Sequence, residues 1–118
     1  MKVIKTSDIE TREVTHEPLF MGGKVIAKSL VGPDIAEELS LTLITFSPGA
    51  RNRLHTHTTE QVLYVTEGKG IIATEDEEIV ITPGMLAFIP AGEKHWHGAT
   101  KDSSFSHISI TPPHKTEL

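Results

Sequence analysis

The chain has 118 residues, of which 37% are apolar and 23% charged, a length and composition typical of one globular domain covering residues 1–118. It has no cysteine, which excludes disulfides, thiolate nucleophiles and cysteine-bound metals, so any metal must be held by nitrogen and oxygen ligands. The net charge of −5 and the scattered basic residues argue against nucleic-acid binding. The sequence has no long apolar run and no apolar leader, which argues against membrane insertion and predicts a cytoplasmic protein.

Short apolar or alternating runs follow one another along the chain and are punctuated at close intervals by glycine and proline. This pattern predicts an all-β protein, an antiparallel barrel or sandwich, and many of the runs are rich in the β-branched residues that suit a pleated sheet. The predicted strands are 24–30, 41–46, 61–66, 70–74, 78–81, 85–89, 94–98 and 105–111.

The segments between the predicted strands favour turns. Residues 33–39 are the best helix candidate, but at less than two turns they are equally compatible with a loop. The acidic run 75–78 predicts the solvated end of a hairpin. The tail that begins at Pro112-Pro113 cannot continue a central strand, because two prolines remove the donors that a ladder needs.

Histidine is the informative residue type, with seven in this short chain. Four of them form two His-x-His pairs, which are His55 with His57 and His95 with His97. Alternate residues of a strand point to the same face, so each pair presents two imidazoles side by side, and Gln61 shares the face of His57 if no bulge intervenes. A lone histidine is more often exposed or hydrogen-bonded, as we expect of His16 and His114, but the paired spacing favours a metal site.

These residues lie within two patterns that resemble the two motifs of the cupin family. The matching positions are Gly49, His55, His57, Gln61 and Gly68 in residues 49–68, and Gly84, Pro90, Gly92 and His95 in residues 84–99. The short segment between the motifs, 69–83, is similar to the spacing in small microbial cupins. The resemblance implies an antiparallel double-stranded β-helix, the jelly-roll or cupin barrel.

The resemblance also implies one divalent transition metal. Its implied ligands are His55, His57, Gln61 and His95. Manganese is the first expectation, and iron, nickel, cobalt and zinc are alternatives, because nitrogen and oxygen donors suit all of these ions.

The chain departs from the family pattern at two positions. Gln61 stands where the family usually has Glu, and Ala99 stands where it usually has Asn. Glu60 is an alternative ligand, but strand parity turns it away from His57 and favours Gln61. An amide in place of a carboxylate leaves the ion its full +2 charge and makes it a stronger Lewis acid.

Residues 92–99 and 105–108 resemble a narrower cupin subset, which includes cupins related to carboxymuconolactone decarboxylase-associated proteins and manganese-dependent cupin hydroxynitrile lyases. This resemblance implies that His97 and His107 are catalytic pocket histidines that position a substrate or move its proton. His97 should share the inward face of His95, and a neutral imidazole is a suitable base at neutral pH. His107 is equally compatible with a hydrogen-bonded histidine on a barrel strand.

Four other side chains near the pairs have structural or functional interpretations. Arg51 and Arg53 would either hold an anionic substrate at the mouth of the barrel or lie solvated in a loop. Trp96 and Tyr64 alternate away from their ligand-bearing neighbours, so we expect them to pack rather than to contact substrate.

The leading hypothesis is a metal-dependent enzyme that acts on a small oxygenated organic substrate by lyase, isomerase or decarboxylase chemistry. The alternatives are a metal-dependent dioxygenase, a non-catalytic ligand-binding cupin that contains metal, and a structural interaction domain without metal. We also expect a homodimer. The apolar patches Val3-Ile4 and Leu19-Phe20-Met21 would form its interface or cover the chain's own barrel.

Overall fold

The computed structural model describes residues 1–118, and strands carry nearly all of its regular structure. One 3₁₀ turn, Thr6–Asp8, precedes them. The strands are β1 (Arg12–Glu13), β2 (Phe20–Met21), β3 (Val25–Val31), β4 (Ser40–Phe46), β5 (Arg51–Asn52), β6 (Thr56–His57), β7 (Gln61–Gly68), β8 (Gly70–Ala73), β9 (Glu78–Ile81), β10 (Leu86–Ile89), β11 (Trp96–Ala99), β12 (Phe105–Thr111) and β13 (Thr116–Glu117).

Two antiparallel sheets form the barrel. The six-stranded sheet has the order β1-β3-β4-β12-β7-β10, and the five-stranded sheet has the order β2-β5-β11-β8-β9. A separate two-stranded ribbon joins β13 to β6. The chain passes from one sheet to the other after β7 and returns at β10, which gives the jelly-roll arrangement and confirms the predicted all-β fold.

All eight predicted strands are present, with ends that differ from the prediction by at most two residues. The five strands that the sequence did not indicate (β1, β2, β5, β6 and β13) have two residues each, too few for any alternation to show. The candidate helix 33–39 is a loop, in which the Gly32 carbonyl accepts hydrogen bonds from the amides of Ile35 and Ala36. No helix of the chain has the length and apolar character needed to cross a bilayer.

The barrel interior has an apolar part and a polar part. Phe46 and Phe105 are fully buried and stack on each other in the apolar core, with Phe20 against the edge of Phe46. The ring of Phe46 also contacts the imidazoles of His97 and His107 at centroid distances of 5.9 and 5.8 Å. The histidine-rich part of the interior therefore packs directly against the aromatic core.

Gly68 allows β7 and β12 to approach closely at the core. Its φ is +76°, and a Cβ at this position would lie 1.9 Å from the carbonyl oxygen of Ser104. No other residue fits both the left-handed backbone and this contact. Gly68 thus positions Phe105 at the start of β12, beneath the histidines.

Candidate metal centre

Backbone pairing brings the two His-x-His pairs together. The amide of His55 donates to the carbonyl of His95 and the amide of His95 donates to the carbonyl of His55, both at 3.0 Å. His57 follows on β6, and Gln61 is the first residue of β7 in the opposite sheet. The site therefore lies where the two sheets and the β13–β6 ribbon meet.

The four predicted ligands are buried and face one another. Nε2 of His55 lies 3.2 Å from Nε2 of His57. The ring centroid of His95 lies 4.3 Å from that of His55 and 5.2 Å from that of His57. Gln61 is buried on the same side, whereas Glu60 is exposed, so the parity argument that preferred Gln61 agrees with the structure.

Hydrogen bonds behind the imidazoles fix the tautomers of His55 and His95. The Nδ1 atoms of His55 and His95 donate to the backbone carbonyls of Arg53 and Glu93, the latter at 2.8 Å. Nδ1 of His57 lies 3.0 Å from the hydroxyl of Thr116. A neutral imidazole with its proton on Nδ1 presents a lone pair on Nε2, which is how metal-binding histidines are oriented.

Two buried polar atoms at the centre of this group have no partner. Gln61 donates through Nε2 to the hydroxyl of Ser109 at 2.8 Å, which leaves Oε1 free. Nε2 of His95 is also unpartnered. A buried acceptor without a partner costs about 1–3 kcal/mol, whereas the Nε2 atoms of His55 and His57, 3.2 Å apart, can share a proton in the absence of metal. A divalent cation would satisfy all of these atoms, so the residues present fit a metal.

A second, overlapping set of nitrogens comes from His55, His95 and His97, whose donor atoms lie within 4.8 Å of one another. The chain thus has a three-histidine cluster that can hold a metal ion. Both ring nitrogens of His97, however, already have partners, namely Asn52 and His107. The free oxygen of Gln61 therefore favours the set that the sequence predicts.

Asn52 controls the proton positions of His97 and His107. Its Oδ1 accepts the backbone amide of His97 at 2.8 Å, so its Nδ2 must be the group that donates to Nε2 of His97 at 3.1 Å. Neutral His97 then carries its proton on Nδ1 and donates it to Nε2 of His107 at 3.2 Å. Nothing in the sequence indicates this role, because Asn52 and His97 are 45 residues apart.

Burial keeps these histidines neutral. Desolvation lowers the pKa of His97 well below its ordinary value, with the neighbouring His107 as the next cause. Desolvation also lowers the pKa of His107 to about 3, of His57 to about 3 and of His55 to about 4. For His55 the hydrogen bond to the Arg53 carbonyl partly opposes the shift. These imidazoles are therefore uncharged at neutral pH and have lone pairs that a metal ion can bind.

A cavity of about 150 Å³ opens beside the imidazoles. Its walls include His97, Thr42 and Ile44 of β4, and His114 and Thr116 of the tail. His107 does not line it. Of the two predicted pocket histidines, His97 faces the cavity, and His107 lies fully buried behind it.

The C-terminal tail returns to the site as β13. Thr116 pairs with His57, and the amide of Thr58 donates to the carbonyl of Lys115 at 3.1 Å. The ring of His114 lies 4.6 Å from that of His57. The tail does not continue a central strand, as expected, and His114 is exposed, as expected, but its place at the cavity was not foreseen.

The two arginines ahead of the first pair lie away from the cavity. The guanidinium of Arg51 lies 3.6 Å from the ring centroid of Trp96, and Nε of Arg53 donates to the carbonyl of Pro18 at 3.0 Å. These contacts favour the non-catalytic interpretation of both residues. Trp96 packs as expected, whereas Tyr64 is 42% exposed on the outside of the barrel.

An antiparallel two-sheet barrel with inward-facing imidazoles from two sequence motifs defines a jelly-roll protein whose interior can hold a metal ion. The chain belongs to the cupin domain family (Cupin_2), whose sequence profile matches residues 42–111. The family that the two motifs indicated is therefore confirmed.

Several known proteins are similar to this chain. The (R)-mandelonitrile lyase of Granulicella tundricola is 43% identical over 68 residues, 57% of this chain and 52% of the lyase, so the match spans about half of that relative. A cupin-like protein of Thermotoga maritima has a TM-score of 0.80 at 27% identity, covering 100% of this chain and 89% of the other. The polyketide cyclase RemF of Streptomyces resistomycificus has a TM-score of 0.84 at 26% identity, covering 98% and 84%.

Proposed function

We propose that the chain is a metal-dependent lyase that cleaves a small substrate bearing a hydroxyl group next to the bond that breaks. The single observation that carries the proposal is the unpartnered Oε1 of Gln61, buried with the imidazoles of His55, His57 and His95 beside a cavity that His97 lines. The 43% identity to a mandelonitrile lyase supports a cyanohydrin as the first substrate class, and isomerase or decarboxylase chemistry on a related molecule is the alternative.

The metal would be held by His55, His57, Gln61 and His95, with manganese expected first and iron, nickel, cobalt or zinc as alternatives. When bound by these neutral ligands, the ion supplies Lewis acidity toward a substrate oxygen. The backbone carbonyls of Arg53 and Glu93 keep two of the imidazoles oriented for this task.

His97 is the proposed proton acceptor. Its Nε2 lies at the cavity wall, where it accepts a hydrogen bond from Asn52 that the substrate hydroxyl must displace, and its Nδ1 donates to Nε2 of His107. In cyanohydrin cleavage the hydroxyl proton passes to Nε2 of His97 while the bond to the nitrile carbon breaks, which leaves an aldehyde and cyanide. The same nitrogen then returns the proton to cyanide, so that His97 ends neutral.

The test is mandelonitrile cleavage by the tag-free, manganese-loaded chain, followed by benzaldehyde absorbance. We expect turnover that falls about 10²–10⁴-fold in His97→Ala with the metal retained, since general-base catalysis contributes a factor of this size. In His57→Ala and Gln61→Ala we expect loss of metal, with the exposed neighbour Glu60→Ala as the matched control. Less than roughly a tenth of an equivalent of metal in the wild-type chain would contradict the metal site.

A non-catalytic, ligand-binding cupin is the second candidate. The observation that favours it is the β13 tail, which places His114 and Thr116 at a small cavity and would help to retain a ligand. In that case the metal stays bound and the double variant His97→Ala, His107→Ala changes no turnover measured with cyanohydrins or related hydroxy acids. Metal-dependent turnover that the double variant abolishes would exclude this candidate.

A further inference from the structure

The two sheets of the barrel are not paired with each other along one side. β9 is the last strand of the five-stranded sheet, β10 is the last strand of the six-stranded sheet, and the turn 82–85 joins them. The far ends of both strands lie away from this turn, at the acidic hairpin end 75–78 and at residues 90–93. A cavity of about 270 Å³ lies between the two edges.

Inward-facing apolar side chains line this cavity. Ile79 of β9 pairs with Ile72 of β8, which pairs with His97 of β11. Directly paired residues of adjacent strands project to the same face, so both isoleucines point inward as His97 does. Ala87 of β10 pairs with the buried Leu63 and shares the inner face of the other sheet. Ile79 is nevertheless 49% exposed, so a small molecule can reach the interior from this side.

The charged groups at this cavity are carboxylates. Glu77 and Glu93 line it and are exposed, whereas no lysine or arginine lines it. Neither carboxylate takes part in an ion pair, since both ion pairs of the chain lie elsewhere. An adjoining groove adds Glu75 and Asp76, with Lys94 as its one basic residue. The cavity therefore combines an apolar wall with negative charge at its rim.

We propose that this cavity binds a small organic ammonium ion, whose apolar body lies against the isoleucines and whose charge lies beside Glu77 and Glu93. A mostly apolar wall with a few polar groups is the usual composition of a small-molecule site. Its volume is just below the usual range of about 300–1,000 Å³, so the occupant is a small molecule rather than a polypeptide segment. Unpaired carboxylates favour a cation over a neutral or anionic molecule of the same shape.

The ammonium site is separate from the metal cavity. The two cavities have no lining residue in common, and His95 lines the ammonium site whereas His55 and His57 line the metal cavity. The Nδ1 of His95 donates to the carbonyl of Glu93 at 2.8 Å, so an occupant lies against the segment that orients His95. The proposal does not depend on the proposed enzymatic function, because the ammonium site needs neither the metal nor a reaction.

Binding of benzyltrimethylammonium to the full chain tests the proposal. This probe has a permanent charge and no lone pair on nitrogen, so it cannot bind a metal, and zinc is added because it is diamagnetic and leaves NMR signals sharp. From the methyl signal of Ile79 we expect a dissociation constant below about 5 mM. At the same signal, neutral benzyl alcohol and anionic phenylacetate should bind at least about 5-fold more weakly. The methyl signal of Ile44, at the metal cavity, should not shift with the ammonium probe.

Substitutions at the ammonium site should weaken binding of the probe. Glu77→Lys replaces attraction by repulsion, so we expect the dissociation constant to rise at least about 5-fold. Ala87→Leu fills the cavity from β10 and should abolish binding. Glu67→Lys is the matched control, because it makes the same change of charge at an exposed residue of β7 that does not line the cavity, and it should bind like the wild type. Circular dichroism reports whether each variant is folded.

Three results would overturn the proposal. The first is a wild-type dissociation constant above about 5 mM for the ammonium probe at Ile79, including the case in which only Ile44 responds. The second is a neutral or anionic probe that binds at Ile79 as tightly as the ammonium probe. The third is a Glu77→Lys variant that binds like the wild type, or a Glu67→Lys variant that loses as much affinity as Glu77→Lys does.

Discussion

Asn52 is the residue on which the proton positions of the site depend. Its amide oxygen is occupied by the backbone of His97, which leaves only the amide nitrogen to face the imidazole. Through that one contact it fixes the tautomers of His97 and His107. A polar side chain that determines which ring nitrogen of a histidine is protonated acts by orienting a hydrogen bond. Its removal should therefore alter proton transfer at the site more than it alters packing.

Replacing Asn52 by Asp tests this role. The carboxylate has no proton to donate, so we expect His97 to move its proton to Nε2 in order to donate to Asp, and to lose its lone pair at the cavity. Long-range ¹H–¹⁵N NMR of the imidazoles should show the Nδ1–H tautomer of His97 in the wild type and the Nε2–H tautomer in Asn52→Asp. Ser109→Ala, which touches Gln61 instead, should leave the His97 tautomer unchanged. An Nε2–H tautomer in the wild type would contradict the assignment.

At the scale of elements, short strands do the positioning. β6 and β13 have two residues each and pair only with each other, yet they hold His57 against the tail. β5 places Asn52 opposite β11, where His97 lies. Ladders this short derive little stability from their own hydrogen bonds, so they depend on the side-chain contacts that accompany them.

The hydroxyl of Thr116 should matter for metal binding. Thr116→Val keeps the shape and the β-branch but removes the group beside Nδ1 of His57, so we expect metal affinity to fall about 10–100-fold. Competition with a chromogenic chelator measures the affinity. Thr116→Ser retains the hydroxyl and should bind metal like the wild type. Equal affinity of the Val and wild-type chains would show that the tail does not orient His57.

At the scale of the whole molecule, the barrel combines a polar interior with an apolar exterior on one sheet. The interior buries five histidines, and burial opposes the charged form of each. The exterior of the six-stranded sheet bears exposed apolar side chains, among them Tyr64, Leu86 and Phe88. The strands that carry Gln61 and Ser109 therefore present polar side chains inward and apolar side chains outward.

The metal-free chain should lose stability as the pH falls. His107 has a folded-state pKa of about 3, below the ordinary 6.5, so the unfolded chain takes up a proton that the folded chain does not. Its contribution is complete above pH 6.5 and declines from there toward pH 3, by about 2 kcal/mol between pH 7 and pH 5. Urea unfolding at both pH values measures the loss, and His107→Gln should reduce it by about that amount. An equal loss in the variant would contradict the assignment.

Local pattern was enough to predict the strands and the inward histidines. Alternation has a period of two residues, so His95 and His97 had to share a face, and Glu60 and Gln61 had to point opposite ways. The spacing of the glycines and histidines was enough to indicate the family. These features depend on residues close together in the chain, so they can be predicted without knowing how the sheets pack.

The tertiary structure decided what the ligands and bases contact. Asn52 meets His97 across 45 residues, and Thr116 meets His57 across 59. No local period encodes such contacts, because they arise only when strands distant in the chain pair in one register. The sequence by itself therefore determined the barrel and the candidate ligands, and only folding placed His97 at the cavity with His107 behind it.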